Sequence, residues 1–191
     1  TAMQQATHIL ISIPPHAQEE ALAQAIAQEA TQCRWIGYLS TTGVYGDRQG
    51  RTVTEHSVPA PMDAQSEARV QAELLWRAQG AQVFRLSGIY GPGRSVFDSI
   101  AEGRAQRIVK AGHRFNRIHV DDIARALWAS MQASTPGAVY NLADDAAAAQ
   151  LSRPDPKTEL VLVGSEPLPP GEAMIAGLAR ARIVPGTRQR L

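Results

Sequence analysis

Between residues 8 and 145, short apolar, β-branched runs alternate with amphipathic helical stretches. No other feature of the chain restricts its fold as strongly. Residues 8–13 (HILISI) form one such run, halted by Pro14 and Pro15. Residues 18–30 place Leu22, Ile26 and Ala30 four apart, on one helix face. Residues 34–40 (RWIGYLS), 82–86 (QVFRL) and 138–142 (AVYNL) read as further strands. A helix is expected over 63–79, with Asp63 as N-cap and Gly80 in the C-cap position. Another runs from Asp121, read as its cap, to residue 132. Gly43, Gly46 and Gly50 mark a loop running to Pro61. Residues 88–93 (GIYGPG) read as a tight loop and 95–103 as a short helix. Strands that are apolar on both faces imply a parallel sheet covered on both sides by helices.

Composition narrows the function classes. A chain of 191 residues suits one domain, and 44% hydrophobic with 19% charged residues is enough for a packed core. A net charge of +1 gives no reason to expect nucleic acid or an anionic membrane as partner. The single cysteine, Cys33, excludes an intramolecular disulfide and fits a reducing compartment. No apolar run approaches the roughly 18 residues of a membrane span. Residues 1–6 lack the pattern of a signal peptide. The expectation is a cytoplasmic protein.

Four segments carry the candidate chemistry. Residues 40–46 (STTGVYG) close one strand, and residues 65–69 (QSEAR), followed by Glu73, begin a helix. Residues 85–94 (RLSGIYGPGR) close another strand, and residues 117–124 (RIHVDDIA) lead into the last helix. In open α/β sheets, ligands bind outside the carboxyl ends of the strands. Hydroxyls and glycines gathered there suit a ligand approached by backbone.

In order and spacing, these segments resemble the NAD-dependent epimerase/dehydratase type of extended short-chain dehydrogenase/reductase. The family pattern has a Ser/Thr-rich strand end with V-Y-G and a Y-x-x-x-K helix start with a Glu four beyond the Lys. R-x-x-x-[VI]-Y-G-P-G and an H-V-D-D segment follow. Three of the four are matched closely over residues 8–145. The resemblance implies a Rossmann-like α/β domain over 1–145 with its first βαβαβ half absent. It implies NAD or NADP as cofactor, a carbonyl or sugar-like small-molecule substrate, and a homodimer as one assembly compatible with it.

The second motif departs from the pattern. Counting back from Glu73, the family's Lys falls on Arg69 and its Tyr on Gln65. Gln has no titratable proton, and Arg keeps its charge at any working pH. The pair thus retains a group for the cofactor ribose and lacks one for proton transfer. Two rivals follow: a non-catalytic NAD(P)-sensing or scaffolding protein, and a truncated inactive fragment.

The resemblance assigns the remaining positions. Thr41 aligns with the hydroxyl that bonds the substrate oxygen; the alternative is that it merely ends a strand. With Gln65 and Arg69 it makes up the catalytic candidates. Ile13, Pro14, Ser40, Arg69, Ser87, Gly88, Ile89 and Tyr90 are placed along the cofactor. Thr42, Arg94, Arg117 and His119 are placed toward the substrate. Tyr45 and Tyr90 are read as loop anchors, with replacement of the missing proton donor as the alternative. Arg94, Arg104, Arg107, Lys110, Arg114 and Arg117 form a basic stretch, read as solvated surface or an anion site. Asp121 and Asp122 suit a helix start better than a metal, so no metal is expected.

The family's glycine-rich phosphate fingerprint would lie ahead of the first strand and is not found here. Residues 146–191 carry half of the twelve prolines and read as an irregular tail or a remnant of the substrate cap.

Overall fold

The computed structural model describes residues 1–94, 115–145 and 189–190. In chain order the elements are α1 (Ala2–Gln5), β1 (His8–Ile11), α2 (Glu19–Glu29), β2 (Trp35–Thr41) and a 3-10 turn (Thr42–Tyr45). Next come β3 (Thr52–Val53), α3 (Ala64–Ala78), β4 (Gln82–Leu86) and β5 (Gly88–Tyr90). β6 (Arg117–His119), α4 (Val120–Gln132), β7 (Val139–Leu142) and β8 (Gln189–Arg190) complete the described elements. The central sheet is parallel throughout, in the order β1-β2-β4-β7. β3 pairs with β8 antiparallel, and β5 with β6 parallel. The expected short helix over 95–103 and most of the tail lie outside the described residues.

Strand alternation builds two cores. Ile11, Tyr38 and Val83 point to one face, where Ala23 and Ile26 of α2 and Ala72 and Trp76 of α3 cover them. Trp35, Phe84, Leu86 and Tyr140 point to the other, against Ile123 and Leu127 of α4. Helices on both faces of a parallel sheet are what strands apolar on both sides require. Trp35 lies flat across Gly37, where a Cβ would come within 2.2 Å of the indole. Its indole N–H donates to Ser130 Oγ at 2.9 Å, so the one polar atom of that buried ring is satisfied.

Asp63 caps α3 as expected: Oδ1 accepts from the Ser66 N–H at 2.8 Å and Oδ2 from the Ser66 hydroxyl at 3.1 Å. Two expectations change. Residues 88–90 are not part of a tight loop but a strand, held by pairing with 117–119. The glycines concealed this, because a strand of three residues is fixed by its partner rather than by its own pattern. The cap of α4 is His119, not Asp121: His119 Nδ1 accepts from the Asp121 N–H at 3.2 Å. The imidazole stands one residue outside the helix, where a cap must stand.

Candidate functional site

The carboxyl ends of β1, β2 and β4 open on one edge of the sheet. Thr41 and Leu86 are in register across β2 and β4, which sets the loop after Thr41 beside Ser87. The chain after β1 is exposed at Ser12, Ile13 and Pro14. Thr41 Oγ1 accepts from the Gly43 N–H at 3.1 Å, and its own proton has no acceptor among the described residues. Thr42 is half-buried beside it.

Two other hydroxyls at this edge are spent on the fold. Ser87 is buried, and both its N–H and its hydroxyl donate to the Leu142 carbonyl, at 3.0 and 2.9 Å. Ser40 donates to Glu73 Oε1 at 2.6 Å. Gly88 donates its N–H to the Asn116 carbonyl at 3.1 Å, and Ile89 is half-buried opposite Ile118.

Beneath this edge lies a polar layer that the sequence reading did not single out. Ser40, Arg85 and Asn141 are in register across three strands and share the α3 face. Glu73 of α3 grips Arg85 with both oxygens, the shortest contact being 2.6 Å. Arg85 also donates to Tyr45 Oη at 2.7 Å, and Tyr45 lies 2.8 Å from Asn141 Oδ1. Burial opposes the charge on Arg85, but Glu73 and Tyr45 outweigh it and hold the guanidinium protonated. Burial pushes the Tyr45 phenol up as well, so this tyrosine is a neutral anchor for its loop. Its ring is fully buried, which removes Tyr45 as a replacement proton donor.

Gly46 follows at φ 65°, and a Cβ there would meet the Ala60 carbonyl at 2.1 Å. Only glycine lets the loop turn back so closely.

Gln65 is exposed on the first turn of α3. Arg69, one turn on, donates to the Leu39 carbonyl at 2.9 Å and to Tyr38 Oη at 3.1 Å. Its guanidinium also lies 5.8 Å from the Tyr38 ring centre. Arg69 therefore bridges the helix to the end of β2. Arg94 is exposed after the turn at Gly91, and the Arg117 carbonyl accepts from the Asp144 N–H at 2.6 Å. The remaining cations of the basic stretch, Arg104, Arg107, Lys110 and Arg114, lie outside the described residues.

The model of the NAD dependent epimerase/dehydratase family matches residues 17–143. The chain belongs to this family. Protein YeeZ of Escherichia coli (strain K12) is 35% identical over 112 residues, 56% of this chain and 39% of that protein. A functionally unknown conserved protein from Silicibacter pomeroyi is 48% identical with a TM-score of 0.70, covering 75% of this chain and 53% of its own. The UDP-glucuronic acid 4-epimerase of Bacillus cereus, solved with NAD, shares the fold at 19% identity and a TM-score of 0.59. That match covers 69% of this chain and 47% of the epimerase. The chain thus spans about half or less of the length of the relatives it matches.

The carboxyl edge presents the Thr41 hydroxyl, the backbone of Ser87 and Gly88, and the exposed Ile13. A pyrophosphate wants a helix N-terminus free of negative charge. Here α2 opens with Glu19 and Glu20, α3 with Asp63 and Glu67, and α4 with Asp121 and Asp122. Each of these helix starts repels a phosphate.

Beside the edge, β5, β6 and the chain after β7 bring together Tyr90, His119 and Asp144. The Tyr90 and His119 rings meet edge to face with centres 5.0 Å apart, and Tyr90 is 36% exposed. Burial, the neighbouring Asp144 carboxyl and the charge of Asp122 push the Tyr90 phenol up to about 12, with Arg117 opposing them. Burial also raises Asp144, against the opposing effects of Tyr90 and His119. Asp144 carried no signal in the sequence, since it follows the last strand in an acidic pair with Asp145. Among the described residues, no helix is long and apolar enough to cross a membrane, and no group of three His, Cys, Asp or Glu is placed to hold a metal.

Proposed function

We propose that this chain supplies the nicotinamide- and substrate-facing part of an NAD(P)-dependent oxidoreductase of epimerase type, acting on a carbonyl or sugar-like substrate. The observation that carries this reading is the register of Thr41 with Leu86. It sets a hydroxyl with a free proton beside the backbone of Ser87 and Gly88 at the carboxyl edge of the sheet. The epimerase of Bacillus cereus, solved with NAD, supports it through the shared fold. When bound, NAD(P) supplies the hydride donor or acceptor. Thr41 then orients the substrate oxygen by donating to it. Arg69 is the residue for the ribose, held in place by Leu39 and Tyr38. Thr42, Arg94, Arg117 and His119 are the substrate-side candidates, and a homodimer is compatible with this reading.

A second reading, a non-catalytic NAD(P) sensor, is favoured by one observation: Gln65 stands exposed where the family's proton donor would stand. A binding experiment joined to a turnover experiment separates the two. We expect the whole protein to be stabilised by millimolar NAD or NADP in a thermal melt and to reduce at least one member of a carbonyl panel. Stabilisation without turnover selects the sensor, and no stabilisation removes both readings. The 191-residue chain alone should shift by less than about a degree, because its described helix starts are acidic. A shift of several degrees in that chain would contradict the assignment of its edge.

A further inference from the structure

We propose that the buried Glu73–Arg85 pair, acting through Ser40 and Tyr45, positions the Thr41 hydroxyl. Glu73 and Arg85 are then positioning residues, which act on a substrate only through Thr41. The proposal rests on the oxidoreductase reading above and deepens it, from the hydroxyl that meets the substrate oxygen to the groups that hold it there.

Thr41 stands between two anchored neighbours. Before it, Ser40 is buried, and its hydroxyl donates to Glu73 Oε1 at 2.6 Å. After it, the 3-10 turn over Thr42–Tyr45 ends in a fully buried ring whose Oη accepts from Arg85 Nη1 at 2.7 Å. The proton of that phenol has Asn141 Oδ1 at 2.8 Å and the Thr54 carbonyl at 3.0 Å as acceptors. Glu73 and Arg85 close the circuit through three hydrogen bonds of their own. One ion pair therefore holds the chain on both sides of Thr41.

The residues between the two anchors are held as well. The Gly43 N–H donates to Thr41 Oγ1 at 3.1 Å, and the Gly43 carbonyl accepts from the Gly46 N–H at 3.0 Å. The Val44 carbonyl accepts from the Ala60 N–H at 2.9 Å. A Cβ at Gly43 would lie 3.3 Å from Ser66 Oγ, so the turn rests against the first turn of α3. The bond from Gly43 sets the direction of the Thr41 side chain, and the buried pair sets the path of the backbone that carries it.

A buried ion pair is a weak means of stabilising a sheet, since apolar side chains of the same volume often serve as well. What it supplies is direction. A guanidinium gripped by both carboxylate oxygens has a fixed geometry, which apolar contacts lack. Such precision matters for a reacting group, because a displacement of about 1 Å can cost about 10²-fold in rate.

The variants that test this cut the links and leave the ion pair in place. Tyr45→Phe keeps the buried ring and removes the oxygen that Arg85 holds, and Ser40→Ala removes the link to Glu73. In the whole protein, assayed with NADH or NADPH and a carbonyl that the wild type reduces, each should lower kcat by about 10- to 100-fold, with the Kd for the cofactor changed less than about twofold. Ile26→Val, in the core beneath α2, lowers stability without touching these links and should keep kcat within about twofold. Thr41→Val gives the decisive comparison. Because the pair acts through the Thr41 hydroxyl, adding Tyr45→Phe to Thr41→Val should lower kcat by less than a further factor of about two. A tyrosine that serves the fold alone would give the same factor in both backgrounds. The Gly43 amide, followed by ¹H–¹⁵N spectroscopy, should exchange with solvent about 10-fold faster in Tyr45→Phe.

Tyr45→Phe and Ser40→Ala proteins that keep kcat within about threefold, or a Tyr45→Phe factor equal in both backgrounds, overturn this proposal and leave the oxidoreductase reading standing. A wild type that neither binds NAD(P)H nor turns over overturns that reading. The Gly43 amide then decides the positioning alone, and an unchanged exchange rate overturns it. If Tyr45→Phe fails to fold, Ser40→Ala decides through the same cycle with Thr41→Val and the same amide.

Discussion

In a Glu73→Ala protein we expect about 3–5 kcal/mol of stability to be lost, a large share of the roughly 5–15 kcal/mol that keeps an ordinary domain folded. The reason is the partner left behind. Arg85 is 3% exposed and sits in the middle strand of three polar neighbours. Without Glu73 its charge loses three of its hydrogen bonds, and Tyr45 can replace none of them. Ser40 loses its acceptor in the same change. Glu73→Gln keeps the volume and one acceptor oxygen, so its cost should be clearly smaller. The pair Glu73→Met with Arg85→Met removes both charges and should recover much of the loss. Urea unfolding of the four proteins checks the series. A loss below about 1 kcal/mol in Glu73→Ala would mean that the polar layer is solvated and does not anchor the site.

A comparable loss is expected at the opposite end of α3. Trp76→Ala should cost about 3–5 kcal/mol by opening a cavity that α2 and the sheet cannot both close. Trp76 is fully buried between Tyr38 and α2, and its indole N–H donates to Glu19 Oε1 at 2.6 Å. Glu19 is itself buried, so two separate effects combine in the truncation. Trp76→Phe separates them. The ring volume largely survives, and the residual loss of about 1–3 kcal/mol reports the carboxylate left without its donor. Chemical denaturation of both variants measures the difference. Equal losses would show that the donor to Glu19, lost in both variants, governs the site, and a negligible loss in Trp76→Phe would show that cavity volume does.

The fold was legible where pattern and burial agree. QVFRL reads as a strand and forms β4 over the same residues, because every one of its side chains is buried. Asp63 and Gly80 mark the ends of α3, since a cap and a turn residue act locally. The pattern failed where distant chain segments decide. The Gly88–Tyr90 strand owes its conformation to Arg117–His119, which no window around residue 88 contains. His119 displaced Asp121 as the cap because the chain leaves β6 in extended form at residue 119.

The positions of the candidate residues were legible: strand ends and motif order place Thr41 and Ser87 at the carboxyl edge of the sheet. What the sequence hides is how the polar groups are used. Ser40 and Ser87 look like ligand hydroxyls, yet both are committed to holding the sheet together. The register of Ser40, Arg85 and Asn141 becomes visible only when three separated strands are laid side by side. Asp144 is ordinary until β5 carries Tyr90 to it.

The central claim is that the carboxyl edge of the sheet receives the nicotinamide end of NAD(P). Amide chemical-shift mapping of the ¹⁵N-labelled whole protein, titrated with NADH and with NADPH, tests it most directly. The account predicts that one of the two cofactors moves the amides of Thr41–Gly43 and Ser87–Ile89 while leaving those at the amino ends of the strands, His8, Gln82 and Val139, in place. Shifts confined to the amino ends, or none at millimolar concentration of either cofactor, would contradict it.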